Sequence, residues 1–296
     1  MVRYPITLAE LKAKVLAENA TWQQRAETMT AKNIADAALT HTDSIWSEIK
    51  PAYMRVQFNK CIYCERPLAG LVAGRVEQDV EHYRPKGRIS AWPKASSGLT
   101  YSFSTGDPKP NGYYWLAFAI QNYAASCKPC NSTRKSDAFP IAGARGGAAL
   151  TLQQLNTLEK PLIVFPFGTW GDDPAGLFRF EGILIHPKAK TGAKHQRARV
   201  TIDFFGLNDR EELWEDRFRV IQSIFANVEV RETTTRADRR AAAERTIADA
   251  ISIAGPQALC AREFLRLLET DPDTGFQTFL AAEEFLRRKR RNPPQP

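Results

Sequence analysis

The sequence predicts an α+β fold, in which a middle region of short strands is stapled by a four-cysteine zinc site and carries helical extensions on both sides. Three observations lead there. Two Cys-x-x-Cys pairs, Cys61/Cys64 and Cys127/Cys130, stand about sixty residues apart, with Glu81-His82 between them. Helical periodicity dominates the chain before residue 55 and after residue 195, whereas the stretch between is rich in Gly, Pro and aromatics. Hydrophobic residues make up 43% of the 296 and charged residues 25%, which suits a soluble globular protein. The regions expected are 1–55, a helical N-terminal extension; 56–150, the zinc-bearing core; 151–194, an added strand pair; and 195–296, a C-terminal helical region.

Each element has a local reason. Thr7 with Glu10 three places on reads as a capping box opening a helix over residues 8–17. A second periodic stretch runs over 30–49, with Pro51 expected to close it. Residues 76–83 alternate like a strand, residues 113–124 read as an apolar helix, and residues 131–135 begin another helix. The segment 143–149 is a loop. Residues 162–167 and 177–185, the latter turning at Glu181-Gly182, suggest the added strands. Further on, helices are expected over 197–205, from a cap at Asn208 or Asp209 to about 228, over 235–254 up to the Gly255-Pro256 break, and in two segments ending at Arg291.

Five cysteines leave only Cys260 outside the two pairs. A two-residue spacer lets both thiolates of a pair turn toward one ion, and two pairs complete the tetrahedral sulfur shell of structural Zn²⁺. Lys60 and Lys128 are basic neighbours expected beside those thiolates. Zinc ribbons usually separate their pairs by roughly 15 to 20 residues, so the longer insert here must itself be folded. A redox dithiol needs one pair, and a disulfide framework belongs to small secreted chains. Cys260 sits in an apolar helical stretch and reads as a small buried hydrophobe.

The start of the chain lacks the apolar run of a secretory signal and no segment has the length of a membrane span, so a cytoplasmic protein without a membrane partner is expected. Forty-one Lys plus Arg against thirty-three Asp plus Glu give a net charge of +8, which favours approach to polyanions.

His82 is one of four histidines, and an ordinary pKa of about 6.5 lets an imidazole take a proton from water near neutral pH. Glu81 supplies a hard oxygen for Mg²⁺, with Asp79 a second candidate. Neighbouring strand residues point to opposite faces, so Glu81 and His82 share a site only at a strand end or bulge. Pro85 makes such an end plausible.

With Asn122, Asn131 and the two cysteine pairs added, the stretch resembles the zinc-bearing branch of the HNH endonucleases. The matching residues are Cys61-Ile62-Tyr63-Cys64, Asp79-Val80-Glu81-His82-Tyr83-Arg84-Pro85-Lys86, Asn122, Cys127-Lys128-Pro129-Cys130-Asn131 and Lys135. Tyr114-Trp115 and Phe139-Pro140 narrow the likeness to HNH proteins found beside ATPases in prokaryotic anti-phage systems, the Septu and retron-associated type. The likeness fades after about residue 210.

This resemblance implies a ββα-metal core with a catalytic Mg²⁺ or Mn²⁺ in addition to zinc. His82 would be the general base. Glu81 and Asn131 would hold the divalent ion, Asn122 would fix the loop carrying His82, and Lys135 could reach a phosphate. Arg84, Lys86 and Arg88 would form a positive rim for nucleic acid, DNA before RNA. It also implies an ATPase partner subunit; the chain has no Gly-x-x-x-x-Gly-Lys-Ser/Thr loop of its own, so any ATP dependence would come from that partner. The other reading is a zinc-stabilised nucleic-acid or protein-binding adaptor whose nuclease residues no longer act. Asp172-Asp173 and the basic segment 188–194 read as surface features, the run 287–291 either as a helix end favoured by its dipole or as a nucleic-acid or partner contact, and the aromatics of 113–118 as core.

Overall fold

The structure is a computed structural model that describes residues 1–41, 43–70 and 79–291. Helix α1 (Leu8–Glu18) begins at the expected capping box: the Thr7 hydroxyl accepts from Glu10 N, and Glu10 Oε2 accepts from Thr7 N at 2.8 Å. The next periodic stretch is divided differently from the sequence reading. Helix α2 (Trp22–Ala35) ends before a 3₁₀ turn (Ile45–Ile49), and α3 (Lys50–Val56) starts where Pro51 was expected to stop a helix. Proline in a first turn gives up an N–H that has no helical partner anyway.

Two strands meet in the middle of the molecule. β1 (Asp79–His82) pairs antiparallel with β2 (Tyr123–Ser126), with Glu81 opposite Ala124 and His82 opposite Tyr123. The apolar run at 113–124 is therefore not a helix. It forms two 3₁₀ turns, Tyr114–Leu116 and Ile120–Asn122, and then delivers β2. A short apolar run carries no periodicity that separates helix from buried strand, and here β1 supplies the partner that decides it. A π-helical turn (Pro129–Lys135) follows β2. The start of the expected strand, at residues 76–78, and the side chain of Asp79 lie outside the described residues.

Helix α4 (Leu152–Glu159), which the sequence reading missed, opens on a second capping box at Thr151 and Gln154. The added strand pair is β3 (Phe178–Glu181) with β4 (Leu184–Pro187), turning at Gly182, whose φ of 56° suits glycine. Residues 162–167 belong to neither strand; they are buried and bridge to Tyr4 at Phe167. Helices α5 (Gly192–Phe205), α6 (Glu211–Thr233), α7 (Ala237–Ile251), α8 (Ala258–Thr270) and α9 (Pro272–Arg291) complete the chain. Asn208 caps no helix: its amide bonds Ile185 N and O at 2.9 and 2.8 Å, tying β4 to the loop before α6.

One apolar core joins α1 to α3, the β1–β2 pair and α5, and a second lies among α6, α8, α9 and the hairpin. Among the described residues no helix is long and apolar enough to cross a membrane.

Candidate active site

The cysteine pairs come together because the strand pairing folds the long insert back. Phe58 and Asn59, with φ of 51° and 53°, turn the chain out of α3 into the first pair. Ile62 N then donates to Ala125 O at 3.1 Å, and the buried Gln57 side chain bonds Ala125 N and O at 2.8 Å each. β2 ends at Ser126, which delivers Cys127 beside Cys64, Sγ to Sγ 3.7 Å. All four sulfurs lie within 4.8 Å of one another. Tetrahedral Zn–S bonds of about 2.3 Å place sulfurs about 3.8 Å apart, so the four cysteines fit a zinc ion.

Arg210, which sequence reasoning missed, is a basic residue bonded to one of these sulfurs. Arg210 Nη1 donates to Cys130 Sγ at 3.2 Å. Burial works against its charge, but the Cys130 and Cys64 sulfurs more than offset that and hold the guanidinium above its ordinary pKa. Lys60 instead donates to Ile253 O and Gly255 O, at 2.7 and 2.6 Å. Gln257 Nε2 bonds Cys64 O at 2.8 Å, so α6 and α8 are both anchored on the cysteine cluster.

Beside the cluster, a cleft of about 340 Å³ is lined by Glu81, His82, Lys86, Arg88 and Asn131, with Leu39, Val80, Pro85, Gly87, Ser136 and Asp137 completing its walls. Glu81 and His82 share it because β1 ends at His82. Oε1 of the Glu81 carboxylate accepts from Lys135 Nζ at 2.7 Å and from the Tyr63 hydroxyl at 3.2 Å. Burial pushes the Glu81 carboxyl up, and Lys135 and Tyr63 draw it back only in part.

His82 is buried and its Nε2 lies 3.1 Å from Ala117 O. A carbonyl only accepts, so Nε2 carries the proton, and in the neutral ring Nδ1 is the basic nitrogen. Burial first, then the Lys86 ammonium, hold the imidazole pKa well below its ordinary value. The ring packs edge-to-face on Trp46 and Tyr123, with centroids at 4.9 and 4.8 Å.

Asn122 lies behind this segment. Its Oδ1 accepts from Arg84 N at 2.8 Å, and its Nδ2 donates to Arg84 O at 3.0 Å and Leu116 O at 3.2 Å.

Two expected phosphate contacts turn inward instead. Lys135 is 1% exposed, with its Nζ on Glu81 and, at 2.8 Å, on His82 O; a buried carboxylate needs that counter-charge. Arg84, 2% exposed, is held by Glu159 Oε2 at 2.9 Å and Asn156 Oδ1 at 2.8 Å for the same reason. Lys86 and Arg88 remain at the cleft. Arg88 is 76% exposed and forms an ion pair with Asp137, another residue the sequence reading passed over. Asp172 is no metal ligand candidate, since both of its oxygens hold Arg197. In the 287–291 run, Arg287 and Arg288 pair with Glu284 and Arg290 with Glu215.

A larger cavity, about 400 Å³, lies on the far side of residues 83–84; its arginines, Arg84 and Arg197, are both paired with carboxylates.

Comparison with known proteins adds one relationship. No family model matches the chain, and no solved structure matches it. The chain is similar to Septu protein PtuB of Bacillus mycoides (strain KBAB4), 26% identical over 253 residues, which span 80% of this chain and 74% of that protein. This supports kinship with the Septu proteins.

Proposed function

We propose that the chain is a metal-dependent HNH endonuclease that hydrolyses phosphodiester bonds of nucleic acid, DNA in the first place, as an effector of anti-phage defence. The observation that carries this reading is the meeting of Glu81, His82 and Asn131 in one cleft beside the cysteine cluster. The likeness to Septu protein PtuB supports the defence role. The sequence order of strand, strand and helical turn, with Glu81-His82 closing the first strand and Asn131 in the turn, agrees with a ββα-metal core.

In this reading His82 is the general base. The Ala117 carbonyl fixes Nε2, and Nδ1 takes a proton from the water that attacks phosphorus. Burial keeps the ring neutral and ready near pH 7. The Glu81 carboxylate and the Asn131 side-chain amide are hard oxygen donors that suit Mg²⁺ or Mn²⁺, which commonly binds through one or two protein oxygens with the rest supplied by water and phosphate. Such an ion, when bound, neutralises charge on the phosphate and the leaving oxygen. Lys86 and Arg88 draw in the phosphates. Asn122 clamps the segment on which His82 sits, and Lys135 holds Glu81 in place. An ATPase partner subunit would supply any nucleotide dependence, and the cytoplasm is where such a protein would meet phage DNA.

The test is cleavage of supercoiled plasmid, single-stranded DNA and RNA by the zinc-loaded chain, with Mg²⁺, Mn²⁺ or neither. Ion-dependent cutting that His82→Ala abolishes is the expected result. Equal cutting by the native chain and the variant would refute the assignment. Nucleic acid bound but never cut, even with the partner ATPase added, would favour the adaptor.

A further inference from the structure

We infer that Trp46, from the N-terminal segment, is a positioning residue of the cleft, clamping the His82 imidazole with one edge of its surroundings while its face carries the Lys86 ammonium. The inference rests on the nuclease reading for its kinetic consequences, but the clamp itself is a matter of geometry.

Trp46 sits in the 3₁₀ turn Ile45–Ile49, whose two isoleucines are buried, and Trp22 Nε1 pins that turn by donating to Ile45 O at 2.9 Å. Its backbone is therefore held by Trp22 of α2. The ring lies nearly perpendicular to the imidazole, at 87° and 4.9 Å, and Tyr123 closes the other side at 78° and 4.8 Å. Edge-to-face pairs of this separation are favourable aromatic contacts. Together with the Nε2 bond to Ala117 O, they hold the ring in the orientation that keeps Nδ1 basic.

Lys86 Nζ stands 4.4 Å from the Trp46 centroid, within cation–π range. Among the described residues no carboxylate lies within ion-pair distance of Lys86, whereas the exposed Arg88 also pairs with Asp137. Trp46 thus holds an ammonium at the cleft without neutralising it, leaving its charge for a phosphate. The N-terminal segment is accordingly part of the active centre and not a detachable extension.

The test uses the full zinc-loaded chain with Trp46→Ala, Trp46→Leu, Trp46→Phe and Lys86→Met. Histidine-selective NMR at fixed pH reads the clamp directly, with His82→Asn identifying the His82 signals. Loss of the Trp46 ring current should shift and broaden those signals in the Ala and Leu variants, and Phe should restore a sharp line. In cleavage assays kcat should fall about 100-fold for Ala or Leu, the scale expected of a misplaced catalytic group. Phe should recover at least tenfold of that, while keeping a raised KM shared with Lys86→Met, because Phe is a poorer cation face than Trp. Trp46→Leu preserves apolar bulk and keeps the test open if Ala does not fold. A sharp His82 signal in folded Trp46→Leu, whatever its shift, would overturn the clamp. An inactive native chain would instead count against the nuclease reading, with the NMR result still deciding the role of Trp46.

Discussion

The Lys135 ammonium and the Glu81 carboxylate meet at 2.7 Å with both side chains sealed from solvent, and Lys135 also holds the carbonyl of His82. One cation thus braces the two neighbouring residues on which the proposed chemistry depends. Removing one partner of a buried pair strands the other, a loss of about 3–5 kcal/mol. Lys135→Met should lower stability by that order in urea titrations of the zinc-loaded chain. Glu81→Gln, which can still accept from Lys135 and Tyr63, should be milder.

Arg84 and Arg88 should separate structure from binding. Arg84→Ala leaves Glu159 buried without its partner and should cost about 3–5 kcal/mol of stability. Arg88→Ala should barely alter stability, since its pair with Asp137 is exposed and screened by solvent, but should weaken nucleic-acid binding and reduce the salt slope by about one. Binding isotherms across a salt series, with urea midpoints alongside, would show the contrast. An unchanged slope for Arg88→Ala would remove it from the interface.

His82 should make the fold acid-sensitive. Its pKa is lowered in the folded chain, so between that value and the ordinary value of about 6.5 the unfolded chain binds the extra proton. The contribution is fully present above pH about 6.5 and is lost as pH falls, at up to about 1.4 kcal/mol per pH unit. Urea midpoints at pH 7.5 and 5.5 should therefore differ more for the native chain than for His82→Asn. Comparing the two slopes removes the acid sensitivity common to both, that of the cysteine cluster included.

Arg210→Ala should weaken zinc binding by about 10- to 100-fold, as loss of a partner to a metal ligand does. Competition with a chromophoric chelator would measure it. Lys60→Ala should weaken zinc binding less than Arg210→Ala, because Lys60 bonds backbone carbonyls of the segment before α8 and the Glu65 carboxylate, none of them a sulfur.

Cys260 should resist alkylation in the folded chain. Burial pushes its thiol up to about 12, so little thiolate exists at pH 8, and no solvent reaches it. Mass-spectrometric mapping after iodoacetamide should find it unmodified until denaturant is added.

The sequence by itself marked the features whose meaning lies in short spacing: the two Cys-x-x-Cys pairs, the candidate residues Glu81-His82 before Pro85 and Asn131 after the second pair, and the capping box at Thr7. Each is a local pattern, readable because a few bonds along the chain confine the side chains to one place. Tertiary structure decided what depended on partners far along the chain. The run at 113–124 ends in a strand because β1 is there to pair with it, and its 3₁₀ turns present the Ala117 carbonyl to His82. Lys135 and Arg84 look like phosphate ligands in the sequence, yet Glu81 and Glu159 draw them inside, since a buried carboxylate binds the nearest cation more strongly than solvent does. Arg210 beside Cys130, eighty residues on, and Trp46 against His82 have no local signature at all. Their positions follow from helix packing, which brings together residues that no spacing rule connects.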